Sequence, residues 1–124
     1  MEPRDPLTGA VIGAALRVRH SMGVGLLESA YHAFLLYELR KLELNVLSQP
    51  ALPAVYEGVR IKVAYRPDLI VNNCLIVELK TVTSIIPIHR AQLLTYMRLS
   101  QIRTGLIINF FAVPFSSGLV RMVL

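Results

Sequence analysis

Arg66-Pro-Asp68-Leu-Ile-Val-Asn-Asn-Cys-Leu-Ile-Val-Glu78-Leu-Lys80 reads as a β-hairpin. Asp68 stands where a first strand (68–71) begins, Asn72-Asn73 supplies a tight turn, and a second strand (75–80) ends in Glu78-Leu79-Lys80. Side chains alternate faces along a strand, so Glu78 and Lys80 project to one side and Leu79 to the other. Two acids and a lysine at the ends of apolar strands form a costly arrangement. Buried charge is tolerated when it is paired or when it holds a metal ion. The hairpin is therefore either a metal-dependent catalytic site or a salt-bridged strand end.

Upstream, residues 8–21 read as a helix capped by Thr8, with Val11, Ala15 and Val18 at helical spacing. Met22-Gly-Val-Gly25 breaks it. A second helix, about 25–42, carries Leu26, Leu27, Ala30, Phe34, Leu35 and Leu39 as its apolar stripe, and Glu28, Tyr31 and His32 share a face. Pro50 and Pro53 keep any strand over 45–55 short or at an edge. Val55 to Tyr65 suggests two strands about Glu57-Gly58, and alternation of Arg60 and Lys62 with Val59, Ile61 and Val63 suggests one wet face.

Downstream, Pro87 opens a helix running to about Ser100. Leu93, Leu94, Met97 and Ala91 on its flank face the sheet, and Gln92 and Tyr96 share another side. Leu106 to Val113 is nearly continuous apolar, as for a strand buried on both faces. A turn over 114–118 and a strand over 119–124 follow. The β-helix-β passage requires a right-handed crossover and a parallel strand pair. The class is α/β, a mixed sheet flanked by helices on both sides, in one domain over residues 1–124.

The net charge is +5. No Asp or Glu follows Glu78, whereas Lys80, Arg90, Arg98, Arg103 and Arg121 do, so the whole excess lies after Glu78. A one-sided basic segment suits a polyanion such as nucleic acid. The single cysteine, Cys74, sits within an apolar strand, which excludes an internal disulfide and argues against a Cys-type zinc site. His20, His32 and His89 lack zinc-ligand spacing. The start lacks the basic and apolar regions of a secretory signal, and the apolar run 106–115 is too short to span a membrane, which needs about 20 residues. A cytoplasmic protein with no membrane partner fits. The apolar fraction of 54% is high enough to suggest a homodimer interface.

A hard cation such as Mg²⁺ takes oxygen ligands and keeps several waters. Asp68 and Glu78 offer two carboxylates, and the Leu79 carbonyl can add a third oxygen. Such a metal polarises a scissile phosphate and lowers the pKa of its water. Lys80 can orient that water or neutralise developing charge. Gln92 can hydrogen-bond the nucleophile, and Glu28 can serve as a further ligand or hold Lys80. Asp-x(9)-Glu-x-Lys is nevertheless a weak pattern on its own. Glu78 and Lys80 also read as an exposed ion pair worth under about 1 kcal/mol, and Arg17 and Arg19 read as solvated.

Several ordered motifs tip the balance. Gly25-Leu-Leu-Glu28-Ser-Ala-Tyr31, Asp68, Glu78-Leu-Lys80, His89-Arg-Ala-Gln92-Leu-Leu-Thr-Tyr96 and Gly105-Leu-Ile-Ile-Asn109-Phe110 together resemble the GxxExxY protein family. That prokaryotic group is assigned to the PD-(D/E)xK nuclease superfamily. The resemblance runs from about residue 10 to the end. It implies a restriction-endonuclease-like α-β-β-β-α-β core and a Mg²⁺- or Mn²⁺-dependent nuclease acting on nucleic acid, DNA foremost. It implies Asp68, Glu78 and Lys80 as the acidic-acidic-lysine signature, and Glu28 as the first-helix acid near the metal. Gln92-x-x-x-Tyr96 resembles the motif on the following helix in recombination-type exonucleases. Tyr96, Arg90, His89 and Arg98 are the expected substrate contacts. Phe111, where the family often has glycine, and Pro67, where small residues are common before the acid, read as departures. A nucleic-acid-binding module without turnover and a structural homodimer are the rival readings.

Overall fold

The computed structural model describes residues 5–124; the first four residues of the expected leaderless start lie outside it. Helix α1 (Pro6–Met22) is followed by α2 (Glu28–Lys41), β1 (Val46–Ser48), β2 (Leu52–Tyr56), β3 (Val59–Tyr65), β4 (Leu69–Val71), β5 (Leu75–Lys80), α3 (Pro87–Ser100), β6 (Thr104–Asn109) and β7 (Leu119–Val123). A 3-10 turn over Phe115–Gly118 precedes β7. Five strands form one mixed sheet in the order β1-β4-β5-β6-β7, and β2 and β3 form a separate two-stranded ribbon. Only β5 and β6 run parallel, joined through α3 as the crossover rule requires. The expected α-β-β-β-α-β order is present as α2, β1, β4, β5, α3 and β6. The ribbon is inserted between β1 and β4.

Local chemistry fixes the joints. Asp5, rather than Thr8, caps α1: its carboxylate accepts from the Thr8 N–H and hydroxyl, each at 2.7 Å. Asn72 and Asn73 both adopt left-handed φ, 51° and 54°, at the β4–β5 turn, a conformation that asparagine tolerates. That turn also contains Cys74, which is exposed rather than buried in a strand.

The sheet is packed on both faces. Val11, Ala15 and Val18 of α1 and Tyr31, Leu35 and Leu39 of α2 join Val77, Leu79 and Phe110 on one side. Leu93 and Met97 of α3 join Ile70, Ile76 and Ile107 on the other. The α2 stripe is rotated from the expected one. Leu27 lies outside the helix as its N-cap and is 76% exposed, and Phe34 is exposed too. Tyr31 takes the inner position because its ring stacks on Phe110 at 4.5 Å and its hydroxyl donates to the Gly23 carbonyl at 2.5 Å. Arg19 is not free either: it donates to the Ala112 carbonyl at 2.6 Å.

Two further expectations change. β6 ends at Asn109, because the Asn109 side chain binds main chain on two sides. Its Oδ1 accepts from the Val82 and Phe111 N–H groups at 3.1 and 3.2 Å, and its Nδ2 donates to the Val82 carbonyl at 2.8 Å. The ribbon has two wet faces rather than one, since Val55, Tyr56, Val59, Ile61 and Val63 are all exposed along with Arg60 and Lys62. Its base alone is anchored, by Tyr65 against Tyr96 at 5.1 Å.

The turn before β7 closes tightly on Asn109. A Cβ at Gly118 would meet the Ala112 Cβ and lie 2.7 Å from the Asn109 carbonyl oxygen. Gly118→Ala is therefore expected to lower stability by about 1–3 kcal/mol, read as a lower urea midpoint at an unchanged slope.

Candidate active site

The site is built where β4 and β5 part. Their register pairs Leu69 with Val77, Ile70 with Ile76 and Val71 with Leu75. One step further sets Asp68 opposite Glu78. Ile70 and Ile76 pack under α3, so alternation places Asp68, Glu78 and Lys80 on the α3 face as well. Leu79 packs on the opposite face, under α1 and α2.

The acids are bonded as a unit. Asp68 Oδ2 accepts from the Leu79 N–H at 2.8 Å, and Glu78 Oε1 accepts from the Asp68 N–H at 3.4 Å. Glu78 is only 4% exposed. Burial first, and then the charge of Asp68 and its side-chain hydrogen bond, push the Glu78 carboxyl up to about 9; Lys80 and the Asp68 N–H pull the other way. Glu28, at the start of α2, is exposed and has no hydrogen bond to a described residue. Desolvation of its carboxyl end, then the Asp68 charge, push it up, while Lys80 pulls it down. Tyr96 is half-buried, and burial followed by the charges of Glu78 and Asp68 raises its hydroxyl.

Lys80 is half-buried and forms no ion pair within 4 Å with any described acid; the described pairs are Arg17–Glu38, Lys41–Glu38 and Arg121–Asp5. The bland expectation of a Glu78–Lys80 surface pair therefore fails. Gln92 lies on α3 one turn before Tyr96 and is exposed, with no hydrogen bond to a described residue. His89 is tied to helix capping, its Nδ1 accepting from the Ile86 N–H at 3.1 Å. Arg98, in the last turn of α3, is exposed and unpaired among described residues. Arg90, in the first turn, lines a polar cavity with Thr83, Ser84, Asn109 and Ser117. A larger apolar cavity of about 800 Å³ between α1 and α2 contains none of these residues.

The donor set fits a hard cation. Among described residues no group of three or more His, Cys, Asp or Glu side chains could enclose a metal, so the main chain must contribute. Lys80 O accepts from the Phe110 N–H at 2.9 Å, which turns Lys80 and Glu78 toward β6 and Leu79 toward β4. The Leu79 N–H is taken by Asp68. Opposite its carbonyl the register places Pro67, which has no N–H to give. The register thus sets two carboxyls and one main-chain carbonyl at neighbouring positions, a partial oxygen set of the kind that Mg²⁺ would complete with water.

A sheet with helices on both faces and a Pro-Asp…Glu-x-Lys cluster at the parting of two strands defines a restriction-endonuclease-like fold. The chain matches the PD-(D/E)XK nuclease superfamily over residues 5–122 and belongs to it. No curated protein and no solved structure matches it significantly. Pro67-Asp68 and Glu78-Leu79-Lys80 spell out the superfamily's own letters, so Pro67 is part of the pattern rather than a departure from it. Sequence reasoning also missed Asn109 as a positioning residue. Its signal was a lone amide closing an apolar run.

The carboxyl pair makes the metal-free protein sensitive to pH. The unfolded chain ionises Glu78 near 4.5, whereas the fold holds its proton to about 9. Between these values the folded state binds more protons, so stability falls as pH rises. With chelator present, the urea midpoint is expected to decline between about pH 5 and about pH 8, and Glu78→Gln should flatten that decline. Mg²⁺ at the upper end should raise the midpoint of the parent and leave that of Glu78→Gln in place.

Proposed function

We propose that the chain is a Mg²⁺- or Mn²⁺-dependent nuclease that hydrolyses phosphodiester bonds of nucleic acid, DNA foremost. The observation that carries this reading is the direct opposition of Asp68 and Glu78, with Lys80 on the same face. Within the superfamily we assign it to the prokaryotic GxxExxY group, as one nuclease-like domain working in the cytoplasm. The motif has physical content: Gly25 adopts a φ of 110° in the loop before α2, Glu28 opens the helix, and Tyr31 anchors it.

Asp68, Glu78 and the Leu79 carbonyl would hold the metal, with Glu28 as a further acid from α2. The metal, when bound, polarises the phosphate and supplies a nucleophilic water. Glu78 must give up its proton to bind it. Lys80 orients the attacking water and offsets charge building on the phosphate oxygens. Gln92 holds the water from the α3 side, and Tyr96, Arg90, His89 and Arg98 contact the substrate strand. The described residues contain no helix long and apolar enough to cross a membrane.

Cleavage of labelled single-stranded, duplex and flapped DNA and of RNA with Mn²⁺ tests the reading. Lys80→Ala should lower the rate by about 10²-fold or more while leaving the circular dichroism spectrum unchanged. Activity that survives loss of both Asp68 and Lys80 refutes it. Steeply salt-dependent binding without turnover on any substrate would favour the binding-module alternative.

A second copy of the chain is the partner we assign to the ribbon. The support is its exposed apolar row: Tyr56 at 75%, Val59 at 60% and Ile61 at 52%. Tyr56 pairs with Val59, and Ala54 with Ile61, so these side chains share one face. An isolated two-stranded ribbon is marginal in water. Light scattering should give twice the chain mass for the parent and the chain mass for Val59→Lys/Ile61→Glu. A monomeric parent at about 100-fold the concentration of a micromolar Kd would end this assignment.

A further inference from the structure

Arg90, a proposed substrate contact, opens onto a polar cavity at the end of β6. It encloses about 290 Å³ and is lined by Thr83, Ser84, Arg90, Asn109 and Ser117 over an apolar wall. No carboxylate lines it, and Arg90 has no ion pair with a described residue. The Asn109 amide is committed to Val82 and Phe111. Ser117 donates its hydroxyl hydrogen to the Pro114 carbonyl at 2.7 Å, which leaves its oxygen free only to accept. Thr83 and Ser84 have no such commitment among described residues. The free groups are thus a guanidinium and two hydroxyl donors, which is the chemistry of an oxyanion receptor.

Its position is set by the sheet. Lys80 and Asn109 are paired in the parallel ladder, and neighbouring strands stand about 4.8 Å apart. Ile107 packs under α3 with Ile76, so Asn109 lies on the same face as Glu78 and Lys80. The cavity therefore opens one strand beyond Lys80, on the face where the acids converge. The bonds from Asn109 to Val82 hold the Thr83-Ser84 segment over it.

We infer that this cavity is a second phosphate subsite, which takes a phosphate of the nucleic-acid strand adjacent to the one held between the acids and Lys80. The inference rests on the nuclease reading. The phosphate is either internal or the strand's terminal one, and both present the same oxygens to Arg90, Thr83 and Ser84.

Fluorescence anisotropy with chelated, metal-free protein tests it, using single-stranded oligonucleotides that end in a 5′-phosphate, a 5′-hydroxyl or a 3′-phosphate. Arg90→Ala should weaken binding about tenfold and lower the slope of log affinity against log salt by about 0.7, one phosphate contact on a single strand. Thr83→Ala/Ser84→Ala, which alters only exposed side chains, should weaken binding several-fold. Arg40→Ala, which removes an exposed charge on α2, should do neither. A preference for one phosphorylated end that Arg90→Ala abolishes identifies a terminal phosphate; equal loss on all three strands identifies an internal one. If the parent binds and the Arg90 and Thr83/Ser84 variants behave like Arg40→Ala, the subsite is refuted and the nuclease reading stands. If the parent binds no strand, the subsite is refuted, and cleavage with Mn²⁺ decides the nuclease reading separately.

Discussion

The opposition of Asp68 and Glu78 is the constraint around which the molecule is arranged. Two carboxyls on adjacent strands, one nearly closed off from water, cannot both ionise without help. In the metal-free protein a proton supplies that help, and the Leu79 N–H stabilises Asp68. A divalent cation would replace the proton. The register that sets the acids opposite each other is enforced from both faces. Leu69, Ile70, Val71, Leu75, Ile76 and Val77 are all buried. A slip of one residue would set side chains fitted to one face against the packing of the other and separate the acids. The apolar strands are therefore the positioning device for the charged ones.

Two anchors extend that rigidity outward. Tyr31 is fully buried, stacked on Phe110, and bonded through its hydroxyl to the loop before α2. It fixes the start of the helix where Glu28 stands, three residues earlier, so the motif's tyrosine serves its glutamate. Asn109 plays the matching part across the sheet, holding the chain that leaves β5 just after Lys80.

The hairpin was legible in the sequence because its two signals agree. Strand alternation put Glu78 and Lys80 on one face, and Asn72-Asn73 supplied a turn with positive φ. The crossover followed from Pro87 and the apolar run after Gly105. The misreadings share one cause, which is that hydrophobicity does not state a partner. Leu27 and Phe34 read as core but stay exposed, while Tyr31, with a polar tip, goes inside because Phe110 offers a ring to stack on. The ribbon's alternation suggested a buried face that the sheet never covers. The Asn109 contacts are separated by 27 residues in sequence, and no local pattern announces such a bond.

The charge distribution gains meaning only in three dimensions. Of the cations beyond Glu78, Arg121 is paired with Asp5 at 2.9 Å and Arg103 is bonded to the Leu124 carbonyl at 2.9 Å. Arg103 holds the end of β7, and Arg121 ties the middle of that strand to Asp5. Arg98 stands exposed in the last turn of α3, while Lys80 and Arg90 remain at the same end of the sheet as the acids, all three without a carboxylate partner among described residues. The proton that Glu78 retains takes a negative charge away from this end, which would favour the approach of a phosphate strand. On the nuclease reading, Asp68, Glu78 and the Leu79 carbonyl would hold a divalent cation once Glu78 gives up its proton, and that cation would supply a positive partner for a phosphate oxygen. Metal and substrate would then favour each other's binding by linkage.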